Sequence, residues 1–390
     1  MFKDLNKLYA VKLTVQIKLL PTPEQSEVLR KTLETVNCAA NRLSQLAWDS
    51  KEFRRFPLHK TFYHQIRREF PLSAQLVCLL NAKVVDAYKI DRKAQRVFRK
   101  HGCIAYDPRC LNIKLPKSEV SIWTLPGRSV MSFVCGDNQR ALLTYPRGES
   151  DLILRSGKWF LSITVDVPED KEIEAIDVLG VDMGIVNIAY DSDGTSYSGS
   201  KLNKIRNRNR SLRRKLQRKG TKSAKRLLKK RSRKEGRFSK DTNHVISKSI
   251  VQTAKRTNRA IAVENLSGIR SRIRASKRER TKLHSWAFAE LGEMISYKAK
   301  RNGVKVLRID PRNTSKACSK CGHTEKANRK TQSEFACKSC GHSENADRNG
   351  AGNIRLKGLV LLGTGAINHP DAEASCEKAH DVAICNLLLS

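Results

Sequence analysis

The chain has 390 residues, with 76 Lys and Arg against 38 Asp and Glu, a net charge of +38 and a pI near 10.1. A surplus of that size points to a polyanionic partner, because each cation that neutralises a phosphate releases condensed counterions. No apolar run approaches the ~20 residues of a membrane span, and residues 1–7 lack the apolar segment of a secretory leader, so a membrane role is not expected. The length allows two to four domains. Of eleven cysteines, four form two C-x-x-C pairs. Cys38, Cys78, Cys103, Cys110, Cys135, Cys376 and Cys385 are scattered and are expected as buried small apolar residues in a reducing compartment.

Residues 10–20 alternate as a strand, with Val11, Leu13, Val15 and Ile17 set against Lys12, Thr14, Gln16 and Lys18. Thr22, Pro23 and Gln25 then spell a helix start with a capping box, and Val28, Leu29, Leu33, Val36, Ala40, Leu43 and Ala47 follow at helical spacing. A helix-favouring region continues to about residue 105, broken near Pro57 and Pro71; its Arg67, Arg68, Arg92, Lys93, Arg96, Arg99 and Lys100 suit either a phosphate backbone or a solvated face. From 106 to 172 strands with Pro/Gly turns are expected, at 120–123, 141–145 and 159–165. They suggest a small β-barrel that includes the first strand, with the helices as an insertion. Residues 166–174, acidic and containing Pro168, read as a linker.

A second domain is expected from Ile176, with strands near 178–181, 188–190 and 195–197. Residues 201–240 hold 20 Lys or Arg and one acid, Glu235; sparse Leu212, Leu216, Leu227 and Leu228 and the break at Gly220 favour a basic helical hairpin. Another short apolar run spans 260–263. After a basic stretch at 270–282, Leu283, Ala287, Leu291, Met294 and Ile295 form the stripe of an amphipathic helix, and 304–309 supplies a further strand. Strands, a helix and more strands with acids at their ends describe a ribonuclease H-like α/β core.

Three of those acids carry the chemistry. Asp182 follows the run 178–181, Glu264 ends the run 260–263, and Asp347 lies where a helix can open, with about eighty residues between neighbours. Three convergent carboxylates can hold two divalent ions ~3.5–4 Å apart, one activating water and one steadying the leaving oxygen of a phosphodiester. Asp177, Asp191, Asp193 and Asp310 rank as turn or structural acids. Cys318, Cys321, Cys337 and Cys340 form C-x2-C-x15-C-x2-C, the pattern of a closed tetrahedral zinc site that is structural rather than catalytic; His323 and His342 beside it are not needed as ligands.

Taken in order, residues 20–25, 180–184, 263–266, 311–316, the two C-x-x-C-G knuckles and 345–349 resemble TnpB, the RNA-guided nuclease family of insertion sequences that is related to miniature type V CRISPR effectors. The resemblance runs from about residue 10 to 357. It implies a multidomain α+β chain: a wedge-like β-barrel at 1–20 and 106–175, a helical recognition domain at 21–105, a RuvC-like nuclease domain at 176–311 and 346–358, a zinc ribbon at 312–345, and a tail at 359–390 that matches no pattern. It also implies a guide RNA from the element's own end, a double-stranded DNA target beside a short motif, and a cytoplasmic, nucleoid-associated location in a prokaryote. Asp182, Glu264 and Asp347 would hold two Mg²⁺ (or Mn²⁺), and the four cysteines one structural Zn²⁺. Arg312 and Asn313 would contact nucleic acid or form a turn. Gly350 stands where that family commonly has alanine, a change expected to matter little. A DNA-only transposase using the same acids, or an RNA-guided binding protein without catalysis, are the competing readings.

Overall fold

A computed structural model describes residues 10–184, 186–266 and 288–363, which separate into two compact units meeting at Pro168 and Glu169. In the first unit, β1 (Ala10–Leu20) buries Val11, Val15, Ile17 and Leu19 on one face, as its alternation predicts. Helix α1 (Pro23–Asp49) starts on the expected box: Thr22 Oγ1 accepts from the Gln25 amide at 3.2 Å, and Gln25 Oε1 accepts from the Thr22 amide at 3.1 Å. Helices α2 (Arg55–Glu69) and α3 (Ala74–Ile90) follow, and Ser73 caps α3 through the Leu76 amide.

The helical region ends at Ile90, short of the expected boundary. Residues 91–103 run irregularly along α1, where Asn37 donates to the Gly102 carbonyl and Asn41 to that of Phe98. Several of the basic residues predicted there are structural: Arg67 donates to the Leu72 carbonyl, Arg96 pairs with Asp91, and Lys100 with Glu34.

The remaining strands of this unit are β2 (Ile104–Tyr106), β3 (Leu111–Lys114), β4 (Glu119–Thr124), β5 (Gly127–Val134), β6 (Arg147–Arg155) and β7 (Lys158–Pro168). With β1 they form one antiparallel sheet in the order β2-β6-β7-β1-β5-β4-β3. The sheet curls until Arg147 of β6 donates to the Ile113 carbonyl of β3 and the Tyr106 hydroxyl of β2 to the Trp123 carbonyl of β4. It is an almost closed barrel: no ladder joins β2 to β3 among the described residues, and a cavity of about 410 Å³ occupies the gap beside Ile113, Tyr145 and Arg147. The expected strand at 141–145 is absent. Helix α4 (Asp137–Leu142) replaces it, because Gln139 accepts from the Gly136 amide and donates to the Gln16 carbonyl, pinning one helical turn across β1. Helices and sheet share a single hydrophobic core. Cys110 lies in that core, but Cys38 and Cys103 are exposed and Cys78 and Cys135 half-buried, so burial does not explain most of the scattered cysteines. Cys38 falls off the apolar stripe of α1, and Cys103 sits in the loop before β2. Cys376 and Cys385 lie outside the described residues.

The acidic segment after β7 is not a free linker. Asp166 to Pro168 remain in β7, and the residues that follow are stitched onto the second unit by Asp170 N–H to the Arg301 carbonyl (3.1 Å) and Ile173 N–H to the Gly303 carbonyl (2.8 Å).

The second unit is built on β8 (Asp177–Asp182), β9 (Asn187–Asp191), β10 (Ser196–Ser198), β11 (Arg259–Glu264) and β12 (Val306–Ile309), in the order β10-β9-β8-β11-β12. The first three are antiparallel hairpin neighbours, whereas β8, β11 and β12 run parallel. Each parallel step needs a crossover. The crossover from β10 to β11 is the predicted basic hairpin, α5 (Ser200–Lys219) and α6 (Lys222–Arg256), which turns at Gly220 (φ 64°) and restarts on the Thr221 cap. Of its predicted leucine anchors, Leu212, Leu216 and Leu228 are half-buried, while Leu227 is exposed. Helix α7 (Phe288–Arg301) leads into β12 and buries Leu291, Met294 and Ile295; Leu283 and Ala287 of the predicted stripe lie outside the described residues.

Strand alternation divides the core. Leu179, Val181, Ile261 and Val263 face α6 and α7, whereas Val178, Ala260 and Ala262 face helix α8 (Ala346–Leu362). Two glycines let α8 settle close to the sheet. A Cβ on Gly180 would strike the Ala351 carbonyl oxygen and lie 2.5 Å from the Arg355 amide nitrogen, and one on Gly358 would lie 2.7 Å from both Ala262 Cβ and Val178 Cγ1. Because the obstacles at Gly180 are backbone atoms, Gly180→Ala should destabilise the protein by about 3 kcal/mol, read as a lower urea midpoint at unchanged m-value.

Candidate active site

The register of two parallel strands sets the first two acids. Val181 of β8 pairs with Val263 of β11, so Asp182 and Glu264 end neighbouring strands at the same level. They share strand parity with Val178 and with Ala260 and Ala262, which places both on the face covered by α8. That helix supplies Asp347 in its first turn, where Asn345 Oδ1 caps the amides of Asp347 (2.9 Å) and Arg348 (3.3 Å). An anion in a helix's first turn is favoured by the unpaired amides there. Asp182, Glu264 and Asp347 thus line one polar cavity of about 310 Å³, together with Met183, Pro311, Thr314, Arg329, Gln332 and Gly350.

Neighbours that the motif reading missed fix the carboxylates. The buried Thr314 hydroxyl donates to Glu264 Oε1 at 2.6 Å, and Asn187 Nδ2 donates to Asp347 Oδ2 at 2.9 Å, itself steadied by Ser196. Arg329 places its guanidinium 3.9 Å from Asp347 Oδ1. Gly350 adjoins the same site: a Cβ there would lie 2.9 Å from Asp182 Oδ2, the far end of a side chain, so glycine leaves that carboxylate room. Arg312 and Asn313 form a turn. The Arg312 amide donates to Asp310 Oδ1, and Asn313, at φ 62°, offers its carbonyl to the amides of Lys316 and Ala317. The other acids are structural as read: Asp177 pairs with Arg355, Asp193 with Arg259, and Asp191 accepts from the amides of Asp193 and Thr195.

Burial, then the charges of Glu264 and Asp347, push the Asp182 carboxyl up to about 7, and burial raises Glu264 against the Thr314 hydrogen bond. Divalent cations suit such a set, since they supply the charge that three crowded carboxylates lack. Donors serving two ions need not crowd around one point, and the three carboxylates do not gather as tightly as the cysteines. Sγ atoms of Cys318, Cys321, Cys337 and Cys340 all lie within 4.8 Å of one another, the only such set among the described residues. Their knuckles repeat one pattern: Gly322 and Gly341 turn with positive φ, and the amides of Cys318 and Cys337 bond the carbonyls of His323 and His342. This donor set fits a closed zinc site. Two asparagines of α8 tie the cluster to the acids. Asn349 bonds the Ala317 carbonyl and the Ser319 amide, and Asn353 the carbonyls of Thr314 and Ala317.

A family model described as a probable transposase (OrfB_IS605) matches residues 162–270, and one described as a Cas12f1-like TNB domain matches 288–354. In sequence the chain is similar to TnpB-like and Cas12f1 proteins. It is 34% identical over 157 residues to a TnpB-like protein of Methanocaldococcus jannaschii, covering 37% of this chain and 56% of that one. It is 29% identical over 269 residues to the CRISPR-associated endodeoxyribonuclease Cas12f1 of Sulfoacidibacillus thermotolerans (63% and 60%), and 28% identical over 225 residues to the putative RNA-guided DNA endonuclease InsQ of Escherichia coli (54% and 56%). The chain spans a little under three fifths to three fifths of the length of these curated relatives. A solved Cas12f1 complex with sgRNA and target DNA shares the fold at a TM-score of 0.61 and 18% identity, over 86% of this chain and 83% of that one. No helix among the described residues is long and apolar enough to cross a membrane.

The raised Asp182 carboxyl makes a signed prediction for the metal-free protein. The folded state holds a proton that the unfolded chain releases near its ordinary value, so Asp182 weakens folding as pH rises from about 4 towards 7. In EDTA, Asp182→Asn should stabilise the protein by ~1–3 kcal/mol at pH 8 and by little at pH 4.5, followed by thermal melts at both pH values; an equal effect at the two would remove the carboxylate's titration as the cause.

Proposed function

We propose that this protein is an RNA-guided DNA endonuclease with a RuvC-like, Mg²⁺-dependent site. The observation that carries the reading is the meeting of Asp182, Glu264 and Asp347, from two strand ends and a helix start, at one cavity. The sheet order, with an antiparallel hairpin followed by two parallel strands, agrees with a ribonuclease H-like core. The likeness to TnpB-like and InsQ proteins supplies the guide RNA and the DNA target. In this reading the first unit combines the wedge barrel with its helical recognition insertion, and the cysteines hold structural Zn²⁺.

Asp182, Glu264 and Asp347 would hold the two ions. When bound, these supply a nucleophilic water at neutral pH and stabilise charge on the leaving oxygen. The chain's own part is to orient: Thr314 fixes one oxygen of Glu264 and Asn187 one of Asp347, leaving their remaining oxygens for the cavity. Gly350 keeps Asp182 uncrowded. Sequence would be read by pairing with the guide, while Lys and Arg hold backbones. The basic hairpin is suited to holding them, since 18 of its 20 basic residues between 201 and 240 are exposed, and Glu235, the one acid of that span, bonds Asn209 and Arg213.

Protein expressed with its native locus should co-purify one dominant short RNA, and that complex should cut a matching duplex in Mg²⁺. Asp182→Ala should lower the cutting rate by at least ~10³-fold with RNA binding intact. Full cutting by this variant would sink the site assignment, and joining of element ends without RNA would favour a DNA-only transposase.

A further inference from the structure

The face of the sheet opposite the three acids carries a lysine that the proposed nuclease site does not use. Helix α7 packs there against α6, and Lys298 of α7 is half-buried rather than extended into solvent. Its Nζ donates to the His244 carbonyl at 2.6 Å and to the Ser247 hydroxyl at 2.7 Å, both on one turn of α6. Both acceptors are neutral, and among the described residues no carboxylate pairs with Lys298. Cations dominate its surroundings. Exposed Lys248 follows Ser247, and the half-buried His244 ring feels the charges of Lys298 and Lys240. Of the acids that act on His244, Glu290 already accepts from Asn243 at 2.9 Å, and Asp241 is exposed. The Tyr297 ring stands 6.0 Å from Nζ.

Such a setting favours the amine over the ammonium. An ammonium has three N–H donors and a full charge to solvate. A neutral amine has two donors, which the His244 carbonyl and the Ser247 hydroxyl satisfy, and a lone pair left over. Burial, then the charge of Lys248, accordingly pull Lys298 down to about 8. At pH 7.5 about a quarter of Lys298 is then neutral, against roughly one in a thousand of an ordinary lysine. The cations that disfavour an ammonium here favour an anion in its place.

We propose that Lys298 is a modification site whose amine takes up dissolved carbon dioxide as a carbamate. The Nζ lone pair forms a C–N bond to the carbon, one C=O electron pair moves onto oxygen, and one N–H proton leaves to water. A neutral amine becomes a carbamate anion, and nothing is oxidised or reduced. The nitrogen keeps one N–H for one of its two acceptors, and the new charge is drawn by Lys248 instead of repelled by it. A half-buried amine between two packed helices admits only a small electrophile, which favours carbon dioxide over bulkier acyl donors. The site lies across the sheet from the acids and does not depend on the nuclease reading.

Alkylation by triethyloxonium fixes carbamates as stable esters that peptide mass mapping can locate. In the zinc-loaded full chain equilibrated with isotope-labelled carbon dioxide at pH 7.5, the label at Lys298 should exceed that at the exposed Lys300 and Lys305 by at least ~10-fold. Lys248→Gln keeps the Lys298 amine and removes the neighbouring charge, so its label at Lys298 should fall about 3- to 10-fold. Lys248 is exposed, so the substitution leaves the packing of α6 on α7 in place. In Lys298→Arg the corresponding peptide should carry no label. Equal labelling of Lys298, Lys300 and Lys305 overturns the site, as does a label that persists in that peptide of Lys298→Arg. An undiminished label in Lys248→Gln overturns the part assigned to its charge.

Discussion

Close packing of one helix on one sheet is the constraint on which the candidate site depends. Asp182 and Glu264 are placed by strand register, but Asp347 reaches them only if α8 lies nearly on the backbone of β8. Gly180 and Gly358 remove the two Cβ atoms that would hold the helix off. Arg355 then ties it to Asp177 at the start of the same strand. An α-helix packed over ordinary side chains sits about 10 Å from a sheet, so the missing methyls count in ångströms where carboxylates must share ions ~4 Å apart. The glycines cost backbone entropy in a strand and a helix, which is reasonable where the alternative is a dispersed set of acids.

The same helix carries the coupling to the cysteine cluster. Asn345, Asn349 and Asn353 recur every four residues along α8: the first caps it above Asp347, and the other two bond the loop that leads from Thr314 into the first knuckle. Thr314 in turn fixes Glu264. Buried amides left without those carbonyls would each cost ~1–3 kcal/mol, so the loop, the knuckle and two of the three acids are held as one polar assembly. A cysteine cluster closed on itself is thereby tied to the candidate site through that assembly.

Much of this was legible in the sequence, for identifiable reasons. Apolar runs that end in an acid announce strand-end carboxylates, and cysteine spacing announces the cluster, because both are local patterns. The capping box at Thr22 and the glycine turn of the hairpin were readable on the same ground. What stayed hidden were contacts across long separations. Asn187 and Thr314 are ordinary residues until the fold brings them to Asp347 and Glu264, and Arg329 is one cation among 76. The nearness of Gly350 to Asp182 was hidden in the same way, since only the folded helix brings the two together. Local pattern also misled: residues 141–145 carry strand-like side chains, yet the Gln139 bonds to Gly136 and Gln16 close a helical turn over 137–142 instead. The small barrel that the strand pattern suggested is almost closed, with no ladder between β2 and β3 among the described residues.

The electrostatics of the second unit then give the proposed reaction its dependence on metal. Exposed lysines and arginines on α5 and α6 draw a phosphate backbone towards this unit over distances near the ~10 Å screening length. Inside the cavity the sign reverses, because among the described residues that line it three carboxylates face a single guanidinium. In the proposed reaction a phosphate arriving there without divalent cations meets repulsion, and the Asp182 carboxyl, raised by burial first and then by the charges of Glu264 and Asp347, shows part of that crowding. Such a pocket is poor at holding a bare phosphodiester and becomes complementary to one when cations balance the acids. In the proposed function, binding and cutting thereby rest on different charges: the basic helices would hold the nucleic acid, and hydrolysis would wait on the occupancy of a small acidic site.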